Sequence, residues 1–536
     1  MKKLLLMSLM AFVCQIQAQR NTVLIIADDL SPDYFGFYGY TTDTVNVPNI
    51  RKLLLKGIRF DHFTSNPVCS STRTSILTGR YSFRTGVGGI VGGAGGSNQI
   101  DTAEISIPKL LKVYNPSIVK ADIGKWHLKQ PTPPINLTSP LALGFDWHEG
   151  PFIGQLPNYF NWTKYTNGVA STVTNYATTE NVNNAVSWIK AQNQQAPFFL
   201  WLAFNAPHEP LHLPPANLHT YSTLSGTPAD INNKPKSYFK AMIQAMDHEI
   251  GRLMDSLRVL NQLDSTDFIF IGDNGNTPRT AQVADLTKAK GTIYEYGVHV
   301  PLIISGPSVV NPNRVSKALV NSVDLFATII ENFGFKNWQQ YIPTNKPVDS
   351  KSIMPIIKNS TDSIRPWAFC ELFKLTTDSS DGKAIKNNAY KLIRFDYGAE
   401  AFYHLSNDSL ENVDLLKQAM TSNDVNNYKY LCQEMNALLG KNSDCKTAQL
   451  ELNKLEGDLI SVAPNPCNNM VYFDFKKALD ETIQIELIDV LGHCVLSQIV
   501  NPTTSNSLDV SGLSAGLYSV LFHTTKQIIS TKLVIE

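Results

Sequence analysis

Residues 22–30 read TVLIIADDL. After Thr22 the run is wholly apolar, and two adjacent carboxylates, Asp28 and Asp29, end it. Val, Leu and Ile without polar alternation mark a strand covered on both faces. The habit recurs. SIVKADIG (117–124) stops at Lys125 and His127, PFFLWLAFN (197–205) is followed by His208, and DFIFIG (267–272) stops at Asp273 and Asn274. Helical patterns lie between such runs: over 238–261, Phe239, Met242, Met246, Ile250 and Leu253 recur at helical spacing. Strands alternating with helices predict an α/β sheet. Open α/β sheets bind ligands beyond the carboxyl ends of their strands, and four such ends here carry polar groups.

The chain opens MKKLLLMSLMAFVCQIQA. Lys2 and Lys3, the apolar stretch from Leu4 to Cys14 and the small Ala18 predict a secretory leader over residues 1–18. It is too short to span a bilayer, which takes about 20 residues, and no later stretch predicts a span. A secreted or cell-surface protein is expected. The length of 536 residues implies more than one domain. Lys plus Arg and Asp plus Glu both number 46, so no global field attracts a polyanion, and no nucleic acid partner is expected. Of seven cysteines, Cys14 falls in the leader. Cys432 and Cys445 are near enough in sequence to pair, as are Cys467 and Cys494, but spacing does not fix connectivity.

GVGGIVGGAGGSN (86–98) lacks the Lys-Ser/Thr of a phosphate-binding loop and reads as a flexible surface loop. Residues 128–180, rich in Pro, Asn, Thr and aromatics, read as an irregular insertion around the site mouth. Past about Ser350, AYKLIRF and AEAFYHL predict strands of a smaller sheet, and 414–440 a helix ended by Gly440. From Ser461, the runs VYFDF, IQIELIDV, LYSVLFH and TKLVIE predict a small β-sandwich.

NPVCSSTRTSILTGRY (66–81) sets Cys69 before Ser70, Ser71 and Thr72, with Arg73 one turn on. A helix starting near Cys69 would bring N–H groups and Arg73 beside the thiol, a setting for an anion. Asp28, Asp29, Asp273 and Asn274 supply four oxygen-bearing side chains, a set suited to calcium or magnesium rather than zinc. Lys125, His127, His208 and Lys290, joined to Arg73 and a metal, predict a pocket for a compact, multiply charged oxyanion. Taken singly, the aspartates, lysines and histidines read more readily as a cap, a tight turn or a solvated face.

The stretches VLIIADDL, PVCSSTRTSILTGRY, IGKWHL, APHEP, FIGDNG and KGTIYEYGVHVPLII resemble, in order and spacing, the type I sulfatases of the alkaline phosphatase superfamily. The resemblance covers most of residues 20–450. It implies a large mixed sheet flanked by helices, a smaller C-terminal α+β subdomain and an appended β-sandwich. It also implies that a separate maturation enzyme oxidises Cys69 to formylglycine. One hydroxyl of the hydrated aldehyde then attacks sulfur, and loss of a proton from the other releases sulfate. Asp28, Asp29, Asp273 and Asn274 would hold Ca2+. Arg73 and Lys125 would hold the hydrated aldehyde, and His127 would be the base. His208 and Lys290 would bind sulfate oxygens, as would Lys125, and help protonate the departing alcohol. A sulfated polysaccharide or oligosaccharide is the expected substrate.

The pattern departs from the family at Ser71, where proline or alanine is usual, and at Tyr296 and His299. Glu209 and His212 are further possible substrate contacts. VAPNP, LIDVLGHCVL and LDVSGLSAGLYSVLF resemble type IX secretion sorting domains, which implies the secretion machinery as a partner. The expected divisions are 1–18 leader, 20–350 catalytic α/β domain, 351–450 smaller subdomain and 458–536 sorting sandwich. Two other readings stay open: a phosphonate monoester or phosphodiester hydrolase of the same superfamily, and a sulfoglycan-binding surface protein in which Cys69 remains a thiol.

Overall fold

The structure is a computed structural model describing residues 20–418, 420–441, 445, 460–475, 482–490, 493–501, 507–523 and 528–536. The sequence-predicted leader lies outside them. The chain divides into two compact units, residues 1–384 with 395–397 and residues 385–394 with 398–536.

The first unit is built on ten strands. They are β1 (Asn21–Ala27), β2 (Gly57–Thr64), β3 (Val119–Gly124), β4 (Trp147–Gly150), β5 (Trp162–Thr166), β6 (Val169–Val173), β7 (Phe198–Ala203), β8 (Thr266–Gly272), β9 (Leu302–Ser305) and β10 (Arg314–Asn321). Their order is β10-β2-β9-β8-β1-β7-β3-β4-β5-β6. The strands β8, β1, β7 and β3 run parallel and adjacent, while β9, β5 and β6 bring antiparallel pairings. The sheet is therefore mixed. Its central strands are covered on both faces, as their unbroken apolar runs predict: Val23, Ile25 and Ala27 enter one core, Leu24 and Ile26 the other. The helix α1 (Cys69–Thr78) packs against α4 (Asp324–Asn332). On the Val23 side, α2 (Ala177–Ala191) packs against α3 (Pro235–Val259). All five apolar residues expected to face the core from α3 are buried there.

Registers level the ends of the four central strands. Ala27 lies opposite Gly272, Ile26 opposite Ala203, and Gly124 opposite Ala203. The four polar segments following these strands thus start at the same edge of the sheet.

Two loops differ from expectation. Within 128–180, three segments are strands β4 to β6, which extend the sheet edge. Their strand signal is weak because β6 is exposed over four of its five residues and carries no apolar face. The glycine-rich loop is no detached surface loop. Val87 and Val91 are buried, and the chain lies against residues 373–376, with Thr376 N–H donating to Gly95 O. Glycine is needed at Gly88 because a Cβ there would meet the Phe373 ring at 2.4 Å.

The first unit also contains β11 (Ala368–Leu372), which neighbours β12 (Gly382–Lys386). In the second unit β13 (Tyr390–Phe395) pairs antiparallel with β14 (Glu400–His404). The helix α5 (Ser422–Leu439) starts at a capping box of Thr421 and Asp424 and ends at Gly440 in the left-handed region. Seven further strands form sheets of three and four strands that enclose a core of their own, including Val471, Phe473, Ile485, Val520 and Phe522. Cys432 and Cys445 form a disulfide. Cys467 and Cys494 do not pair: Cys467 is buried in the sandwich core, whereas Cys494 is exposed. Among the described residues, no helix is long and apolar enough to cross a membrane.

Candidate active site

The residues around Cys69 explain how a hydroxyl-rich helix can be buried whole. Every residue of α1 is buried. Ser71 Oγ donates to Val68 O, Ser75 Oγ to Thr72 O and Thr78 Oγ1 to Thr74 O, so these three hydroxyls are satisfied by nearby carbonyls, while Thr74 Oγ1 is buried without a hydrogen bond. Ser71 thus fits its position without disturbing the turn. Gly79 ends the helix at φ 69°, where a Cβ would strike Phe326.

Cys69 opens the helix at the edge where the four strands end. Its Sγ lies 3.2 Å from His127 Nδ1. The Cys69, Asp28 and Asp273 ligand atoms all fall within 4.8 Å of one another, as do those of Asp28, Asp29 and His208. Arg73 donates from Nε and Nη2 to Asp273 Oδ2 at 3.1 and 2.8 Å, and from Nη1 to Lys125 O at 2.8 Å. Lys125 Nζ pairs with Asp28, and Lys290 Nζ lies 2.5 Å from Asp29 Oδ1. His208 Nε2 lies 3.5 Å from Asp29 Oδ2. Asn274 Nδ2 donates to Asp29 Oδ1, and Asp29 N–H donates to Asp273 Oδ1. Every residue singled out from the four strand ends, from α1 and from the segment around Lys290 therefore meets in one cluster.

Charge in the cluster is locally matched. Three carboxylates, Asp28, Asp29 and Asp273, face three cations, Lys125, Arg73 and Lys290. Burial tends to raise the Asp29 carboxyl, but Lys290 and His208 hold it below its ordinary value. Burial, then Asp28, pushes the Asp273 carboxyl up. Burial opposes the charge on Lys290, yet Asp29 raises its pKa well above the usual lysine value. Burial drives the Cys69 thiol up despite Lys125 and Lys290.

His127 is kept neutral by burial, with Lys125 and Arg73 adding to the downward shift. Its Nε2 lies 3.1 Å from Val91 O, which can only accept. The proton of the neutral ring therefore sits on Nε2, and Nδ1 turns its lone pair toward Cys69. Ser70 Oγ donates to His127 O and accepts from Val91 N–H, so the glycine-rich loop, α1 and the His127 turn are tied together. Asp29 and His127 both adopt positive φ, 63° and 56°. Side-chain residues held there store strain of order 1–3 kcal/mol that the surrounding contacts must outweigh.

The donor set fits a hard divalent cation. Asp28 Oδ1, Asp29 Oδ2 and Asn274 Oδ1 are buried and accept no hydrogen bond. Buried carboxylate and amide oxygens left this way are costly unless a cation takes them up. A divalent cation entering with a doubly charged anion would leave the local charge balance unchanged.

The family model described as Sulfatase matches residues 20–335. The chain belongs to the sulfatase family. It is a sulfuric ester hydrolase built on the mixed sheet described above. A model described as N-sulphoglucosamine sulphohydrolase, C-terminal, matches residues 288–439 of the sulfatase, and one described as Secretion system C-terminal sorting domain matches 461–536. The sorting domain addresses it by type IX secretion to the cell surface or the exterior. Over 382 residues the sulfatase is 27% identical to the N-acetylgalactosamine-6-sulfatase of Homo sapiens, spanning 65% of this chain and 67% of that protein. The crystal structure of Ps i-CgsB in complex with k-i-k-neocarrahexaose matches with a TM-score of 0.65 at 26% identity, over 82% of this chain and 98% of that one. A structure of BT4656 in complex with its substrate D-Glucosamine-2-N, 6-O-disulfate shares the fold, with a TM-score of 0.61 at 19% identity, over 80% of this chain and 99% of that one.

Sequence reasoning missed several parts of the sulfatase site. The Val91 carbonyl, which fixes the His127 tautomer, carries no side-chain signal. Gly154 is needed for space: a Cβ there would lie 2.3 Å from His127 Cε1. His212 is not poised for substrate. Its Nδ1 faces Pro210 O and its Nε2 faces the Tyr176 hydroxyl, and burial lowers its pKa to about 4. Tyr296, noted from the sequence, donates to Asp33 Oδ2 at 2.5 Å and accepts from Gln282 N–H.

Proposed function

We propose that the sulfatase removes sulfate from sulfated polysaccharides or oligosaccharides outside the cell, with Cys69 converted to formylglycine by a separate maturation enzyme. The observation that carries this reading is the position of Cys69 Sγ, 3.2 Å from a neutral imidazole and within reach of Asp28 and Asp273. A thiol acting as nucleophile needs its pKa lowered, whereas burial raises that of Cys69. The surroundings suit an altered side chain better than a thiolate. The sulfated ligands named for BT4656 and for the human relative support a glycan substrate.

The hydrated aldehyde would supply a geminal diol, one oxygen for attack on sulfur and a second hydroxyl for later release. Asp28, Asp29, Asp273 and Asn274 would hold Ca2+, which would stabilise negative charge on the attacking oxygen. Arg73 fixes Asp273 and the Lys125 backbone, and Lys125 brings positive charge to the same wall. The attacking hydroxyl gives its proton to Asp273, whose carboxylate lies within 4.8 Å of Cys69 Sγ, and as the bond from oxygen to sulfur forms, the bond from sulfur to the sugar oxygen breaks. The electron pair stays on that oxygen, and His208, aided by Lys290, supplies the proton. His127 Nδ1 then takes the proton of the second hydroxyl, sulfate leaves, and the aldehyde returns. Residues 20–350 would carry this chemistry, 351–450 would complete the enzyme, and 458–536 would be the export address.

The test is the mass of the Cys69 peptide after production with a formylglycine-generating enzyme, paired with sulfate release from defined sulfated oligosaccharides. An aldehyde at Cys69 together with sulfate release is the expected result. An unconverted thiol with intact glycan binding would favour a binding protein. Faster turnover of a phosphodiester in parallel assays would replace the substrate class.

A further inference from the structure

We propose that Tyr159 is a positioning residue for the departing-group proton, acting through His208. This rests on the role given to His208 above. Tyr159 comes from the loop after β4, far in sequence from the APHEP segment, and carries none of the charge that marks the other site residues. It is buried, and its hydroxyl lies 2.7 Å from both Asn205 O and His208 O. Both carbonyls can only accept, so one hydroxyl proton is shared between the two ends of the turn that carries His208.

The ring that delivers this hydroxyl is itself locked. His212 lies 4.1 Å away, centroid to centroid, and Tyr176 6.1 Å away. Both nitrogens of His212 are engaged, as described above, so it cannot swing clear without breaking two hydrogen bonds. The turn is held from the other side by Asp28 N–H, which donates to Ala206 O. His208 Nδ1 lies 2.7 Å from Glu209 O, which can only accept, so Nδ1 carries a proton and Nε2 is the atom presented to the site. Main-chain position, side-chain rotation and the facing nitrogen of His208 are thus all specified. His208 N–H donates to Asn205 O at 2.9 Å, and Tyr159 adds a side-chain link across the same turn from outside it.

In the first step the bond between sulfur and the leaving oxygen breaks, the pair remains on oxygen, and the proton comes from Nε2 of the imidazolium form of His208, which keeps its Nδ1 proton on Glu209 O and becomes the neutral ring. If His208 is displaced, poor leaving groups suffer and good ones do not. The probes are substituted phenyl sulfates, from 4-nitrophenyl to unsubstituted phenyl, turned over by the matured full-length enzyme. Tyr159→Phe is expected to lower kcat on phenyl sulfate by about tenfold or more, with 4-nitrophenyl sulfate affected by less than about threefold and KM nearly unchanged. The dependence of rate on leaving-group pKa becomes steeper. In a His208→Ala background, Tyr159→Phe should add no further loss. Replacing Tyr159 with 4-aminophenylalanine, which keeps a para donor, should restore the native dependence; it also serves as the folded comparison if Tyr159→Phe is insoluble. Equal losses across the series, or an additive loss in the double variant, would overturn the proposal. If His208→Ala leaves the leaving-group dependence unchanged, the role given to His208 fails instead.

Discussion

Cys69 Sγ and His127 Nδ1, 58 residues apart in sequence, lie 3.2 Å apart in the fold. The contact places a lone pair against the very side chain held to be modified. Positioned proton transfer contributes about 10²–10⁴-fold to rate. His127→Gln should lower kcat for sulfate release by a factor in that range while the Cys69 peptide still reaches the aldehyde mass. Near-native turnover would remove His127 from the reaction.

Gly154 tests the same imidazole without altering a polar group. Its backbone is not in the left-handed region, so only space demands glycine. Gly154→Ala should displace the His127 ring and reduce kcat by about tenfold or more, since misplacement by about 1 Å can cost 10²-fold. Melting should change little. Gly512→Ala, where a Cβ meets nothing within 4 Å, should be silent. Full activity in Gly154→Ala would show that the ring can yield.

Metal addition and removal should register in stability as well as in rate. A ligand at about 100 times its Kd stabilises the native state by about 2.7 kcal/mol. Calcium should therefore raise the melting temperature, and a chelator should reverse the rise. Asn274→Ala removes one buried oxygen without altering charge and should shrink the calcium-dependent shift by more than the metal-free melting point. An undiminished shift in Asn274→Ala would place the ion elsewhere.

Glu371 offers a pH test remote from the chemistry. Burial pushes its carboxyl up to about 7; Oε1 accepts from Phe83 N–H, and Oε2 accepts no hydrogen bond. A carboxyl with a raised folded pKa binds more protons folded than unfolded. Its contribution to stability is therefore present below the unfolded pKa and lost as pH rises through about 7. The loss is on the order of 3 kcal/mol at 1.36 kcal/mol per unit. Glu371→Gln should flatten the fall in melting temperature between mildly acidic and mildly alkaline pH. An unchanged pH dependence would show that Glu371 is ionised in the fold.

Much of the mixed α/β sheet and the cluster could be read from the chain because both rest on short-range patterns. β1, β3, β7 and β8 are covered on both faces, so their apolar runs are unbroken, and each stops where polar groups begin. The strands at the sheet edge were harder to see: β6 is mostly exposed and lacks the apolar signal. The roles of Val91 and Tyr159 depend on contacts across 36 and 49 residues, to His127 and His208, through a main-chain carbonyl and a single hydroxyl. Composition and spacing carry no trace of such contacts. Spacing left the Cys467 and Cys494 connectivity open for a related reason, because nearness in sequence does not say that Cys467 turns into the core while Cys494 lies exposed.

The burial of α1 also sets an order of events in the life of the molecule. Cys69 is 1% exposed, and every neighbour on its helix is covered. A second protein cannot grip that segment once the sheet has closed over it. The conversion proposed for Cys69 would therefore have to act on the nascent or still-extended polypeptide, and a chain that folds first would keep its thiol.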